Sequence, residues 1–226
     1  MRIACAADLH GHLGFQPPAA DMLVLAGDIV PIECERDVPM SWSWATEKLA
    51  PWLRAQTIRY KHGILAIPGN HDFWLQDQRG HDRSNLIRSF NWHYLDPGAR
   101  QTIGSEGYNN TFFSLPWTLA RNDWAFQAND NFIAMQLQKA QTGRCNVIVS
   151  HGPPLGCLDT AWNGQSIGSR ALREYIVDNK PDLVICGHVH EAAGEDMIGR
   201  THVVNCSLLD SRYKFTNSPR VVVLDS

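Results

Sequence analysis

The chain has 226 residues, a formal net charge of -3, 44% hydrophobic and 19% charged residues. That is the size of one large domain with ample material for a core, and it is read as a single domain over 1–226. The mild acidity disfavours a nucleic-acid polymer as partner, because backbone binding needs clustered Lys and Arg; a small nucleotide is not excluded.

The chain opens on an apolar run, RIACAA (2–7), followed by MLVLAG (22–27) and GILAIPG (63–69). Further on come CNVIVSHG (145–152), DLVICGH (182–188), THVVNC (201–206) and RVVVLD (220–225). Unbroken Val, Ile, Leu and Ala without alternation predicts strands buried on both faces. Helices are expected at roughly 41–60, with a kink or break at Pro51, then at 83–90, 129–141 and 168–179. Strand–helix alternation gives the α/β class. The segment DSRYKFTNSP lies between the last two runs. That is too short for a usual crossover helix, so those strands are expected as an antiparallel edge and the sheets as mixed. The region from about 75 to 144 is expected to add strands, turns and one helix.

Six scattered cysteines form no C-x-x-C pair, which predicts free thiols and a reducing compartment. No apolar run reaches membrane-spanning length, and a strand beginning near Met1 leaves no room for a signal peptide. The expected location is the cytoplasm, with no membrane partner; oligomeric state is not legible.

The apolar runs end alike: Asp8-Leu9-His10, Gly27-Asp28, Gly69-Asn70-His71-Asp72, Ser150-His151-Gly152 and Gly187-His188-Val189-His190. Sites in open α/β sheets lie at the carboxyl ends of strands, so the five motifs are expected on one edge. Residues i and i+2 of an extended chain share a side, which lets Asp8 and His10, or His188 and His190, face one point. Carboxylates, imidazoles and an amide oxygen without thiolate suit Mn, Fe, Zn or Co, with Ni also admissible and Mn²⁺ favoured. The seven donors Asp8, His10, Asp28, Asn70, His151, His188 and His190 exceed one tetrahedral ion and fit two ions, with Asp28 a natural bridge. Two divalent ions outweigh two carboxylates, and a bridging hydroxide would leave a positive centre for a phosphate ester.

In this order the motifs D-x-H, G-D, G-N-H-[DE], H and G-H-x-H resemble those of the calcineurin-like metallophosphoesterase superfamily. The resemblance implies a four-layer sandwich of two mixed β-sheets flanked by helices. It implies that Asp8, His10, Asp28 and His190 hold one metal and Asp28, Asn70, His151 and His188 the other. His71 would be the catalytic histidine beside the substrate, and Asp72 its supporting neighbour, orienting the turn. SLPWTLARNDWAF (114–126), SHGPPLG (150–156), GHVHEAAG (187–194) and VNCSLLDSRYKFTNSPRVVVLD (204–225) look like the metallophosphoesterase-domain-containing family, reported as cyclic-nucleotide or broader phosphodiesterases. The segment after Asp28 lacks the D-R-G element of serine/threonine protein phosphatases.

The expected activity is therefore a binuclear metal-dependent phosphodiesterase acting on a small, nucleotide-like, possibly cyclic diester. A phosphomonoesterase or small nuclease would share the metal core; a scaffold without catalysis would not need it. Trp117, Trp124 and Trp162 could line a base-stacking pocket, but core packing is expected for at least two of them. His12 is expected in a solvated loop, and Arg36, Arg79 and Arg83 are loop cations, any of which could grip a phosphate or a base.

Overall fold

The computed structural model describes residues 1–76, 92–105, 108–142 and 145–224. The helix expected at 83–90, with Arg79 and Arg83, lies outside the described residues.

Each of the seven apolar runs becomes a strand. β1 (Arg2–Ala6), β2 (Met22–Ala26), β3 (Ile64–Ile67) and β4 (His93–Tyr94) pair in parallel, and β13 (Arg220–Val223) adds antiparallel to β1. The order is β13-β1-β2-β3-β4. A second sheet runs β11-β12-β10-β9-β6-β5. Its strands are β5 (Arg100–Ser105), β6 (Tyr108–Leu115), β9 (Val147–Ser150), β10 (Leu183–Cys186), β11 (Gly194–Ile198) and β12 (Thr201–Asn205). β6, β9, β10 and β12 are parallel, with β5 and β11 antiparallel at the edges. A short ribbon pairs β7 (Thr118–Leu119) with β8 (Gln127–Ala128).

Alternate residues of the strands serve two cores. Ile3, Cys5, Val24 and Leu65 face Val147, Val149, Ile185 and Val204, so the sheets pack face to face. On the outer side of the first sheet, Ala4, Leu23, Leu25 and Ala66 meet Trp42 of α1 (Val38–Trp44), Leu53 of α2 (Ala50–Thr57) and Leu49 of the turn that joins them. On the outer side of the second, Phe113, Ile148 and Val184 meet Ile133 and Leu137 of α3 (Asp130–Thr142) and Leu172 and Ile176 of α4 (Arg170–Asn179). The result is helix, sheet, sheet, helix. Both-face burial, the reason for the unalternating runs, is met because every central strand lies between a helix layer and the other sheet.

Local chemistry sets the helix ends. Asp37 accepts from the backbone N–H of Met40 at 2.9 Å to start α1, and the Ser169 hydroxyl accepts from that of Leu172 at 3.1 Å to start α4. Pro51 follows a π-helical turn over Ala45–Leu49 that joins α1 to α2, and the wider turn accommodates a residue with no N–H to donate without breaking the helix.

One expectation is corrected. β12 and β13 are not neighbours: β12 lies inside the second sheet, and the chain crosses over so that β13 pairs with β1. The connection needs no helix because it changes sheets, and the crossing closes the otherwise open edge of β1. The sheets are mixed, as expected, but through β13, β11 and β5. β11, with sequence GEDMI and a mostly exposed face, has no periodic signal.

Candidate metal centre

The motifs follow the ends of β1, β2, β3, β9 and β10, and the two sheets are stitched together at this rim. Ala7 bridges Ser207, with the Ala7 N–H donating to the Cys206 carbonyl and the Leu208 N–H to the Ala7 carbonyl. The chain turns sharply as it leaves the strands. Asp8, His10, Asp28 and His188 all have positive φ (54°, 39°, 54° and 70°), a conformation side chains adopt only when surroundings enforce it.

Close backbone approach explains the glycines between them. A Cβ at Gly69 would come within 2.3 Å of Asp28 Oδ1 and 2.5 Å of the Asp28 backbone N. At Gly187 it would lie 2.4 Å from Ala7 Cβ and 2.6 Å from Asp8 Oδ2. Only hydrogen in place of a side chain lets these four turns converge in pairs.

Two carboxylates anchor the chamber. Asp8 accepts from the His188 backbone N–H at 2.9 Å and from the Ser207 hydroxyl, and its Oδ1 lies 3.6 Å from His190 Nε2. Asp28 accepts from the His71 backbone N–H at 2.8 Å. Its Oδ2 faces His151 Nε2 at 3.2 Å, His10 Nε2 at 3.7 Å and His71 Nε2 at 3.9 Å. Backbone carbonyls orient two of the imidazoles: His151 Nδ1 bonds to the Ala26 carbonyl at 2.8 Å and His190 Nδ1 to that of Asp210 at 2.9 Å. In both rings Nε2 is thereby aimed inward, and His151 Nε2 also meets Asn70 Oδ1 at 3.0 Å.

The donors fall into three overlapping triads whose ligand atoms lie within 4.8 Å of one another: Asp8, His10 and His190; His10, Asp28 and His71; Asp8, Asp28 and His151. His188 is in the same chamber, its ring 5.2 Å from that of His151, without joining a triad among the described residues. The fit to a metal is tested by His10. Both its ring nitrogens are buried and neither has a hydrogen-bond partner, a costly state for an imidazole that a divalent ion would relieve. These residues fit such an ion.

The electrostatics follow from burial and mutual charge. Burial opposes ionisation of Asp8, yet the charge and hydrogen bond of His190 hold its carboxyl well below the usual range. Burial likewise opposes the charge on Asp28, outweighed by His151 and His71. His151 and His190, despite burial, are raised to about 9 by Asp28 and Asp8 respectively. Burial lowers His10 to about 4, and burial with the charge of His151 lowers His188 to about 3. The chamber thus holds His10 and His188 as neutral imidazoles and His151 and His190 as cations beside the ionised carboxylates, and a bound ion would have to displace the protons of the latter two.

His71 differs from the other histidines. Its Nδ1 bonds to Glu35 Oε2, and its ring lies under Trp124 with centroids 4.2 Å apart. Burial opposes its cation, but Asp28 and Glu35 outweigh that and raise its pKa. Glu35 carries no spacing signal, since it comes from an irregular loop seven residues past Asp28. Asp72 does not face the chamber. Its oxygens accept from the backbone N–H groups of Ile29 (3.0 Å), Val30 (3.4 Å) and Gly69 (2.8 Å) and from the Trp74 indole (3.1 Å), which ties the His71 turn to the Asp28 turn. Burial and the charge of Asp28 raise its carboxyl to about 6.

A cavity of about 350 Å³ opens over the chamber, with Asp28, Asn70, His71, His188 and His190 on its floor. Trp124, Trp162 and Tyr213 stand around it. Of the three tryptophans considered, only Trp117 packs inside, edge-on to Phe132 at 5.0 Å and against two of the cores. The expectation of core packing for two of them is corrected: Trp124 and Trp162 are held on loops that reach the cavity rather than the cores. His12 is exposed and does not line the cavity. Arg36 lies over the rings of Phe73 and Trp124, at 4.8 and 4.6 Å, and donates to the Asp123 carbonyl at 2.7 Å. All six cysteines are free and buried. No helix among the described residues is long and apolar enough to cross a membrane.

Comparison with known proteins agrees with this geometry. The chain belongs to the calcineurin-like phosphoesterase family, which it matches over residues 1–192. It is 24% identical to human metallophosphoesterase domain-containing protein 1, covering 99% of this chain and 71% of that one. It is also 26% identical to a probable rhamnogalacturonate lyase C of Emericella nidulans, over 88% of this chain; the chain spans 18% of that protein's length. Among solved structures, the phosphopantetheinyl hydrolase of Mycobacterium tuberculosis superposes with a TM-score of 0.62 at 16% identity, covering 99% of this chain and 96% of the other. That likeness shows the shared fold. Family membership supports a hydrolase acting on phosphoesters through Asp/His groups able to hold metal.

Proposed function

We propose that this member of the calcineurin-like phosphoesterase family is a binuclear metal-dependent phosphodiesterase acting on a small nucleotide-like diester. The observation that carries the reading is the pair of buried carboxylates, Asp8 and Asp28, on turns after adjacent parallel strands, each facing its own imidazoles beneath one cavity. In this reading Asp8, His10, Asp28 and His190 hold one ion, and Asp28, Asn70, His151 and His188 the second, with Mn²⁺ the favoured metal. Two such ions, when bound, make water acidic enough to attack near neutral pH and stabilise charge growing on phosphorus.

The chain's own residues supply the rest. Glu35 accepts the Nδ1–H of His71, which leaves Nε2 as the atom facing the reacting phosphate. As the water oxygen bonds to phosphorus and the opposite phosphorus–oxygen bond breaks, the proton on His71 Nε2 passes to the leaving oxygen. Asp72 holds the turn that presents Asn70 and His71 together. Trp124 covers the outer face of His71 and keeps bulk water from that side.

The test is hydrolysis of a chromogenic phosphodiester against the matching phosphomonoester by the purified protein with Mn²⁺. Faster turnover of the diester is expected. Preference for the monoester would move the reading to a phosphatase on the same centre, and silence on both by a metal-loaded protein would overturn the enzymatic reading.

A further inference from the structure

Trp162 is an exposed indole at the rim of the cavity. Its side chain is 79% exposed, yet it borders the cavity over the donor chamber. The loop that carries it is tightly tied. Thr160 and Ser166 bridge, the Ala161 N–H donates to the Gln165 carbonyl at 2.9 Å, and the Gly164 N–H to the Ala161 carbonyl at 2.8 Å. At the base of the loop the buried Asp159 carboxylate accepts from the backbone N–H groups of Gly156 (2.9 Å) and Gly168 (3.1 Å). The indole is therefore a flat apolar face on a braced stem, bare at the mouth of the site.

The β7–β8 ribbon supplies a second, independent signal. Gln127 borders the same cavity, and its Nε2 reaches the Leu119 carbonyl at 3.5 Å, while its Oε1 is buried with no hydrogen-bond partner. The hydroxyl of Thr118, its register partner across the ribbon, is also buried and unpartnered, so the two do not satisfy each other. A buried amide oxygen without a donor is a spare acceptor, closed to solvent as the side chain stands, which meets a ligand N–H once the amide turns toward the cavity. A cavity of about 350 Å³ falls in the range of small-molecule sites, roughly 300–1,000 Å³.

We infer that this cavity is a base-recognition subsite, in which Trp162 stacks on the planar base of the substrate and Gln127 Oε1 accepts a hydrogen bond from an N–H on the base edge. The inference rests on the phosphodiesterase reading for the position of the phosphate and adds what selects the group attached to it. A stacking face tolerates any base, whereas an acceptor turned to the base edge favours one with an amino group.

Binding rather than turnover tests it, so that it can fail separately from the catalytic reading. Calorimetric titration of the manganese-loaded protein compares adenosine 5′-monophosphate with ribose 5-phosphate, which shares the phosphate and sugar without the base. The nucleotide is expected to bind tenfold or more tightly, since removing a stacking ring from such sites costs roughly 5- to 150-fold. Trp162→Ala should collapse the ratio of the two dissociation constants toward unity, and Trp162→Phe should restore most of it. Gln127→Leu should reduce the ratio by several-fold. Equal binding of both ligands by the wild type, or a ratio untouched by Trp162→Ala, overturns the subsite even if the chromogenic diester is hydrolysed. A ratio unchanged in Gln127→Leu overturns the hydrogen-bonding part.

Discussion

The carboxylate of Glu35 meets Nδ1 of His71 in the wall of the donor chamber, across 36 residues of chain. Both groups are largely buried, whereas the outward nitrogens of His151 and His190 meet backbone carbonyls instead of a carboxylate. The contact selects the tautomer of His71 and aims Nε2 at Asp28, and under the proposed mechanism it separates the histidine that would handle a proton from those that would hold an ion.

Glu35→Gln, which keeps the shape but removes the charge, is expected to lower kcat by about 10- to 100-fold with KM and metal content little changed. Steady-state kinetics alongside elemental analysis check this. Parallel loss of metal would mean that Glu35 supports the ligand shell instead of His71.

Asp28→Ala should abolish turnover and sharply weaken metal binding, because Asp28 faces three imidazoles from its Oδ2 alone. His71→Ala should retain both ions and lose about 10²- to 10⁴-fold in kcat, the usual contribution of a general acid. Elemental analysis of the two variants distinguishes the roles, and loss of metal in His71→Ala would refute the division between ligand and proton donor.

Gly69→Ala brings a methyl group within 2.5 Å of the Asp28 backbone N, which cannot swing aside as a side-chain tip would. Overpacking of this kind costs about 1–3 kcal/mol, and the shift should displace the Asp28 carboxylate as well. Urea unfolding and the diester assay are expected to fall together. Unaltered stability would show that the two turns are less tightly packed than the structure has them.

Under native conditions no cysteine should react quickly with a disulfide reagent at pH 8, and all six should react once the protein is denatured. Each is buried, and burial reinforced by the Asp196 carboxylate pushes the Cys157 thiol up to about 11. Only the thiolate is nucleophilic, so raising the pH toward 11 should increase the reactivity of Cys157, and lowering it from 8 should suppress reaction further. Fewer than six thiols after denaturation without reductant would indicate a disulfide.

Much of this molecule is legible along the chain because its signals are local. The apolar runs of β1, β2, β3, β9 and β10 are unbroken since each is covered on both faces, and each ends in its own polar motif. A reader needs only adjacency to see Asp8 with His10, or Asn70 with His71. The same reasoning misplaced β13, because the choice of edge depends on which strand lacks a neighbour, and that is a property of the whole sheet. It passed over β11, whose exposed GEDMI carries no period.

The remaining decisions required three dimensions. Five motifs in order point to a phosphoesterase, but nothing in their spacing marks Glu35 as the partner of His71. Nor does it separate Trp117, packed inside, from Trp162, bare at the rim. Ligand chemistry is encoded in residue types beside strand ends, and sequence carries it directly. Orientation, burial and the shape of the cavity arise from contacts between residues tens to hundreds of positions apart. Asp8 accepts from the Ser207 hydroxyl across 199 positions. Such pairs exist only once the two sheets have packed and their strand ends share one rim.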